Sequence, residues 1–281
     1  MRDGTGAGGT GSTERTGGVD ADGPPPAGVF RKHRRGAPAG FFACEAAGLA
    51  WLRVPGGAPV VGVRGVGPDH LDLDLLAETA PSRAHARALG RGLAVTHDAG
   101  ADRFGSPPDG WSGDGFFGPL DQPLPMPAGD HDRWGAFLAD CRIDPLARAA
   151  ERRGVLGARD LELLDRLAAV LRRGDLDDDE PPARVHGDLW SGNVLWTADG
   201  AVLIDPAAHG GHRESDLAML ALFGLPHLDD VLAGYQEVHP LRRGRRHRVA
   251  LHQVYPVGMH AVLFGGGYVA QLHRLLVGVL S

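Results

Sequence analysis

The sequence predicts an α+β protein of two lobes, a small β-rich one at the N-terminal side and a larger, mainly helical one after it. Three observations predict it. Short alternating or β-branched runs cluster before residue 76, helical periodicity dominates after it, and 43% of the 281 residues are hydrophobic, enough for a sizeable core. The expected division is 1–27 for an N-terminal segment, 28–76 for the small lobe and 77–281 for the large one.

Residues Met1 to Ala27 are Gly-, Thr-, Asp- and Pro-rich with almost no apolar content, and read as loop-like or disordered. Val29-Phe30-Arg31-Lys32 reads as a strand, and Pro38 to Arg53 as a helix through Phe42, Leu49 and Leu52. Val60 to Val63 and the alternating His70 to Leu76 are further strands. Ser82 caps a predicted helix that runs to about His97. A Gly/Pro/Trp-rich connection from Phe104 to Pro127 leads to helices over Asp132–Arg153 and Ala158–Arg173. The acidic run Asp175 to Pro182 reads as a solvated linker, as does the Arg242–Arg246 run as a solvated face. Helical patterns then cover Asp216–Phe223, Leu228–Val238, Arg246–Phe264 and Tyr268–Leu280.

Composition excludes several functions. A formal charge of −6 and a pI near 6.1 argue against a nucleic-acid partner, which needs clustered Lys and Arg. No apolar stretch is long enough to span a bilayer and no secretory h-region follows the start, so a cytoplasmic protein without a membrane partner is expected. Cys44 and Cys141, the only two cysteines, read as buried free thiols. Of the 29 basic residues all but Lys32 are Arg, and Asn193 is the only Asn. A lone ammonium that persists against such a bias suggests a site needing a compact point charge.

Chemistry concentrates in His186-Gly187-Asp188-Leu189-Trp190-Ser191-Gly192-Asn193 and the hairpin after it, whose strands Val194–Trp196 and Val202–Ile204 flank an Asp199-Gly200 turn. The hairpin brings Asn193 beside Asp205, with Asp188 in the loop that feeds it. Oxygen ligands so placed suit Mg²⁺. Four residues separate Asp188 from Asn193, the catalytic-loop spacing of kinases, and Asp205 falls where their metal-binding aspartate lies. Lys32, thirteen residues before Glu45, has the strand-Lys and helix-Glu arrangement that holds ATP phosphates.

On these residues, together with Phe42 to Leu49, Leu89 to Ala94, Leu203-Ile204-Asp205-Pro206, Gly211 to Met219 and Phe264 to Tyr268, the chain resembles the fructosamine kinase (ketosamine-3-kinase) family. The resemblance implies a protein kinase-like fold, related to that of aminoglycoside and choline kinases. It also implies ATP-dependent phosphorylation of the 3-hydroxyl of a ketosamine, on a small molecule or a glycated protein lysine, and hence deglycation. Carried over by position, Asp188 is the base, Asn193 and Asp205 hold the metal, and Lys32 and Glu45 position the phosphates. Asp74, Leu75 and Leu76 form the hinge under the adenine, while Trp190, His212 and Glu214 serve the substrate.

The front departs from the family. Only Gly8-Gly9-Thr10-Gly11-Ser12 could act as its Gly-rich phosphate loop, and the expected β-pattern around it is absent, as in a degraded or truncated start. Three alternatives follow: a kinase for another hydroxylated amine, a non-catalytic protein that no longer holds ATP, and a zinc hydrolase built on His209, His212 and Glu214.

Overall fold

The structure, a computed structural model, describes residues 25–281. The Gly8 to Ser12 segment, expected to serve as a phosphate loop, lies outside the described residues. Strand β1 (Val29–His33) is followed by helix α1 (Phe41–Leu52), β2 (Val63–Val66) and β3 (His70–Asp74). The three strands form one antiparallel sheet in the order β1-β3-β2, with Lys32 opposite Leu71. Phe42 and Leu49 of α1 bury against Leu71 and Leu73, which makes the core of this small region.

Val60 and Val61 are not strand residues of that sheet, contrary to the expectation from their β-branched run. The segment pairs instead with the far side of the molecule, Val61 N–H donating to the Leu203 carbonyl and Leu203 N–H to that of Pro59. The free edge of a later hairpin captures these backbone groups, since unpaired buried donors are costly. That contact, with α1 packed on Ala208, ties the sheet to the helical part.

Helix α2 (Arg83–Asp98) starts where Ser82 accepts a hydrogen bond from the His85 amide. It packs closely on α7 (Leu228–Val238) through a glycine on each helix. A Cβ on Gly90 would lie 1.9 Å from the Val231 carbonyl oxygen, and one on Gly234 2.0 Å from that of Arg87. Only hydrogens fit at that crossing. Within the long connection the chain forms a small hairpin, β4 (Gly115–Phe117) with β5 (Leu124–Met126), which no alternation announces.

The helix expected over Asp132–Arg153 is divided into α3 (Trp134–Leu138), a π-helical turn (Ala139–Ile143) and α4 (Asp144–Arg153). Pro145 is the cause. It has no N–H for the Cys141 carbonyl four residues back, and the buried Arg142 guanidinium donates to that oxygen instead at 2.8 Å. Helix α5 (Ala158–Arg173), strand β6 (Ala183–Val185), the hairpin β7 (Val194–Thr197) and β8 (Gly200–Leu203), and β9 (His209–Gly211) follow. The chain ends with α6 (Arg213–Phe223), α7, α8 (Arg245–Phe264) and α9 (Gly267–Val279). The main core lies among α3, α4, α5, α8 and α9, and a second one joins α2, α6 and α7 to the β7–β8 hairpin.

The acidic run is not a solvated linker. Asp177 accepts from the Gly135 amide and Arg133, Asp178 contacts His212 and Arg248, and Glu180, 9% exposed, is shared by Arg213 and Arg242. Arginines contributed by α6, by α8 and by Arg242 beside them draw these carboxylates inward. Cys141 is buried and Cys44 half-buried, both as free thiols. Among the described residues no helix is long and apolar enough to cross a membrane.

Candidate active site

Lys32, at the end of β1, points off the sheet toward α1. Its ammonium donates to both carboxylate oxygens of Glu45 at 2.8 Å and lies 3.1 Å from Asp205 Oδ1. Burial opposes its charge, but Glu45 and Asp205 outweigh that and hold its pKa above the ordinary lysine value. The ammonium therefore stays charged while facing two carboxylates from different parts of the chain.

The loop carrying Asp188 is fixed from beneath. Asp216 of α6 accepts the His186 amide at 2.7 Å and the Gly187 amide at 3.0 Å. Asp216 lies inside the first turn of α6, whose cap is His212. Asp216 also accepts from His97 Nε2, whose Nδ1 takes the Tyr235 hydroxyl proton, and Tyr235 in turn accepts from Arg213. Gly187 has φ +81°, and a Cβ there would fall 2.2 Å from the Ala207 carbonyl oxygen, so the turn admits glycine alone. His186 donates from Nε2 to the Ile204 carbonyl and accepts the Asp188 amide at Nδ1, which fixes it as a neutral brace. Burial lowers its pKa in agreement.

Across the hairpin mouth, Ile204 N–H donates to the Asn193 carbonyl, and the Asn193 amide donates to the Asp188 carbonyl at 2.7 Å and to Asp188 Oδ2 at 3.1 Å. The closed mouth holds Asn193 at 5% exposure. Asp205 follows β8 in the left-handed region, φ +54°, which Asp tolerates better than most residues and which turns its carboxylate toward Lys32. Burial pushes the Asp188 carboxyl up to about 7; the Asn193 hydrogen bond opposes this, and Asp205 and Asp216 add to it. All five side chains line one cleft of about 290 Å³. The oxygen donor set of Asn193 and Asp205, beside Asp188, has the hard character that Mg²⁺ requires.

The other expected residues divide. Trp190 lines the cleft, 38% exposed, its ring edge-on to Phe223 at 5.9 Å. Asp74 and Leu75 have their amides taken by the Gly62 and Gly28 carbonyls, and the Asp74 carboxylate pairs with Arg64. The Leu76 amide has no such partner among the described residues.

His212 and Glu214, expected on the substrate, are a correction: both are buried at 3% exposure or less and neither lines the cleft. His212 caps α6 and contacts Asp178, while Glu214 pairs with Arg248. Their polar pattern reflects an interior ion network between α6, α8 and the acidic run. His209 is likewise interior, donating to the Ala207 carbonyl, with burial pushing its pKa down to about 3. These three side chains have separate partners, so the zinc reading loses its ligand set.

Sequence reasoning passed over Phe116, Phe117, His260 and Phe264, which also line the cleft. The β4–β5 hairpin reads as Gly/Pro-rich connection, and helical periodicity does not say that the end of α8 returns to the site. The Phe264 to Tyr268 run was the one available signal.

Comparison with known proteins accords with this geometry. The sequence model of the fructosamine kinase family matches residues 25–281. A protein of Synechocystis sp. named as a ketoamine kinase is 33% identical over 244 residues, covering 84% of this chain and 77% of that protein. A solved structure from Thermobifida fusca, described as a fructosamine-3-kinase, is 46% identical with TM-score 0.81, covering 90% of this chain and 85% of the other. An aminoglycoside phosphotransferase solved with gentamicin shares the fold alone, at 15% identity and TM-score 0.55 over 90% of this chain and 85% of its own. With its two-lobed protein kinase-like fold, the chain belongs to the fructosamine kinase family.

Proposed function

We propose that the protein transfers the γ-phosphoryl group of ATP to the 3-hydroxyl of a ketosamine, a step that destabilises the adduct and so serves deglycation. The observation that carries this reading is the meeting of Asp188, Asn193, Asp205, Lys32 and Glu45 in one cleft. On this reading the region 28–76 positions the nucleotide and 77–281 supplies the catalytic loop and acceptor site. Relatives of the fold have been solved with AMP or ADP, which supports a nucleotide here.

Asp188 orients the acceptor hydroxyl and takes its proton. A carboxyl near 7 is matched to that work at neutral pH. Asn193 and Asp205 would hold Mg²⁺, which when bound neutralises charge on the phosphates. Lys32, fixed by Glu45, neutralises the same phosphates as a point charge, and the Leu76 amide is the hinge donor left for the adenine. Trp190 offers an aromatic face to the sugar C–H surface. Catalysis on this account is positioning and electrostatics, with no covalent enzyme intermediate.

The cleft favours a ketosamine over a polycationic aminoglycoside. Its lining among the described residues carries no carboxylate besides Glu45, Asp188 and Asp205, all of them already engaged, so several ammonium groups would lack partners. An ADP-release assay with Mg²⁺-ATP and ribulosyl-lysine, fructosyl-lysine, choline and an aminoglycoside tests the reading. Turnover of either ketosamine alone supports it, and turnover confined to the others overturns it.

A further inference from the structure

One end of the cleft is built from rings. Trp190 and Phe264 are large apolar side chains left 38% and 61% exposed, and both line the cleft with His260. The rings form a connected set: Trp190 against Phe223 at 5.9 Å, Phe223 against His260 at 5.0 Å, and His260 against Phe264 at 5.6 Å and Tyr268 at 5.1 Å. Two aromatic faces left open beside a catalytic loop mark a binding surface rather than incomplete burial.

His260 is the polar member. Its Nδ1 lies 2.7 Å from the Pro256 carbonyl oxygen, and a carbonyl can only accept, so Nδ1 carries the proton. The neutral ring then has its lone pair on Nε2, and no group among the described residues donates to that atom. Burial keeps the imidazole from charging. This end of the cleft thus offers aromatic faces and one acceptor, without a cation or a spare carboxylate. Those are the features that recognise a single ammonium: π faces for its charge and a lone pair for its N–H.

We propose that Phe264 and His260 receive the protonated secondary amine of the ketosamine, with His260 accepting its hydrogen bond at Nε2, while Trp190 packs on the adjoining sugar. The inference rests on the ketosamine reading above and assigns what that reading leaves open, the group that distinguishes a ketosamine from a simple ketose. Phe264 supplies a face for the cation or the first methylenes of the amine's substituent. His260 fixes the amine's direction and thereby the register of the sugar on Asp188.

The test compares ribulosyl-lysine with its N-acylated analogue, whose nitrogen cannot be protonated, for the wild type, Phe264→Leu, Phe264→Ala and His260→Phe. Phe264 is mostly exposed and His260→Phe keeps a ring, so each variant should fold, and circular dichroism checks this. The expected result is that the wild type favours the charged substrate by about 10- to 100-fold in kcat/KM. Each variant should raise KM for ribulosyl-lysine about 3- to 10-fold, leave KM for ATP in place and shrink the preference over the acylated analogue. Phe264→Leu separates charge recognition from packing, because it keeps apolar area and loses the π face. Equal use of both substrates by the wild type, or a Phe264→Leu enzyme with unchanged preference, overturns the inference while leaving the kinase reading intact. Absence of turnover on any ketosamine overturns both.

Discussion

Asp188→Asn is the perturbation that bears most directly on the site. The carboxyl sits at about 7, raised chiefly by burial, with Asp205 and Asp216 adding to it. At pH 6 only about a tenth of it is ionised, and at pH 8 about nine tenths. The kcat/KM for Mg²⁺-ATP, which reports the nucleotide-free enzyme, should therefore rise about tenfold per unit below pH 7 and level off above it. A bound cation moves the limb to lower pH in the kcat profile, since it favours the carboxylate. In Asp188→Asn the pH limb should vanish and turnover fall by about 10² to 10⁴.

Stability should move the opposite way. The folded-state pKa lies above the unfolded value of 3.8, so the cost of burying this charge is absent below pH 4 and fully present above pH 7. Asn removes that cost and its carbonyl can still accept from Asn193. The variant should thus be more stable than wild type at pH 8, by on the order of 1–4 kcal/mol, with the gain shrinking toward acid pH. Coupled ADP-release kinetics from pH 5.5 to 8.5 and thermal melts at both ends provide the assay. A flat wild-type profile together with Asn turnover within a few-fold would falsify the assignment of Asp188.

Further expectations follow from the packing. Lys32→Met leaves Glu45 buried without its cation, so it should cost about 3–5 kcal/mol, much of it recovered in the Lys32→Met/Glu45→Leu pair, whereas ATP turnover should recover in neither; chemical denaturation and kinetics on the three proteins check this. Gly90→Ala places a methyl group against the Val231 carbonyl oxygen at the α2–α7 crossing, and overpacking should exceed the helix-propensity gain by about 1–2 kcal/mol, a loss of roughly 2–8 °C in Tm. An unchanged Tm would mean that the two helices can part freely. Tyr235→Phe removes the hydroxyl between Arg213 and His97 and should cost about 1–3 kcal/mol with a smaller effect on KM than on stability, measured by melts and ATP titration.

The sequence by itself determined the catalytic loop, the hairpin and the Lys32–Glu45 pair, because each rests on local rules. A two-residue shift in a hairpin or a missing cap would have shown in the residues themselves. Ser82, the existence of the hairpin turn (Ala198-Asp199 in the structure, one residue earlier than the Asp199-Gly200 expected, since Gly200 already pairs with Thr197) and the boundaries of α5 and α7 are of this kind, since caps and turn residues act within a few positions of where they stand. Lys32 and Asn193 were conspicuous for their rarity, and both line the cleft.

Only the tertiary structure decided the rest. His212, Glu214 and the acidic run look alike in sequence whether they face solvent, substrate or arginines, and partners 34 residues apart, as in Glu214 with Arg248, settled the matter. Pro145 broke a helix whose apolar period continues through it. Val60 and Val61 found a partner at Leu203, and α8 carried His260 and Phe264 back to a cleft built largely from other elements. Burial is the chief reason Asp188 sits near 7, with Asp205 and Asp216 adding to it, and burial is a property of the packed chain rather than of any segment of it.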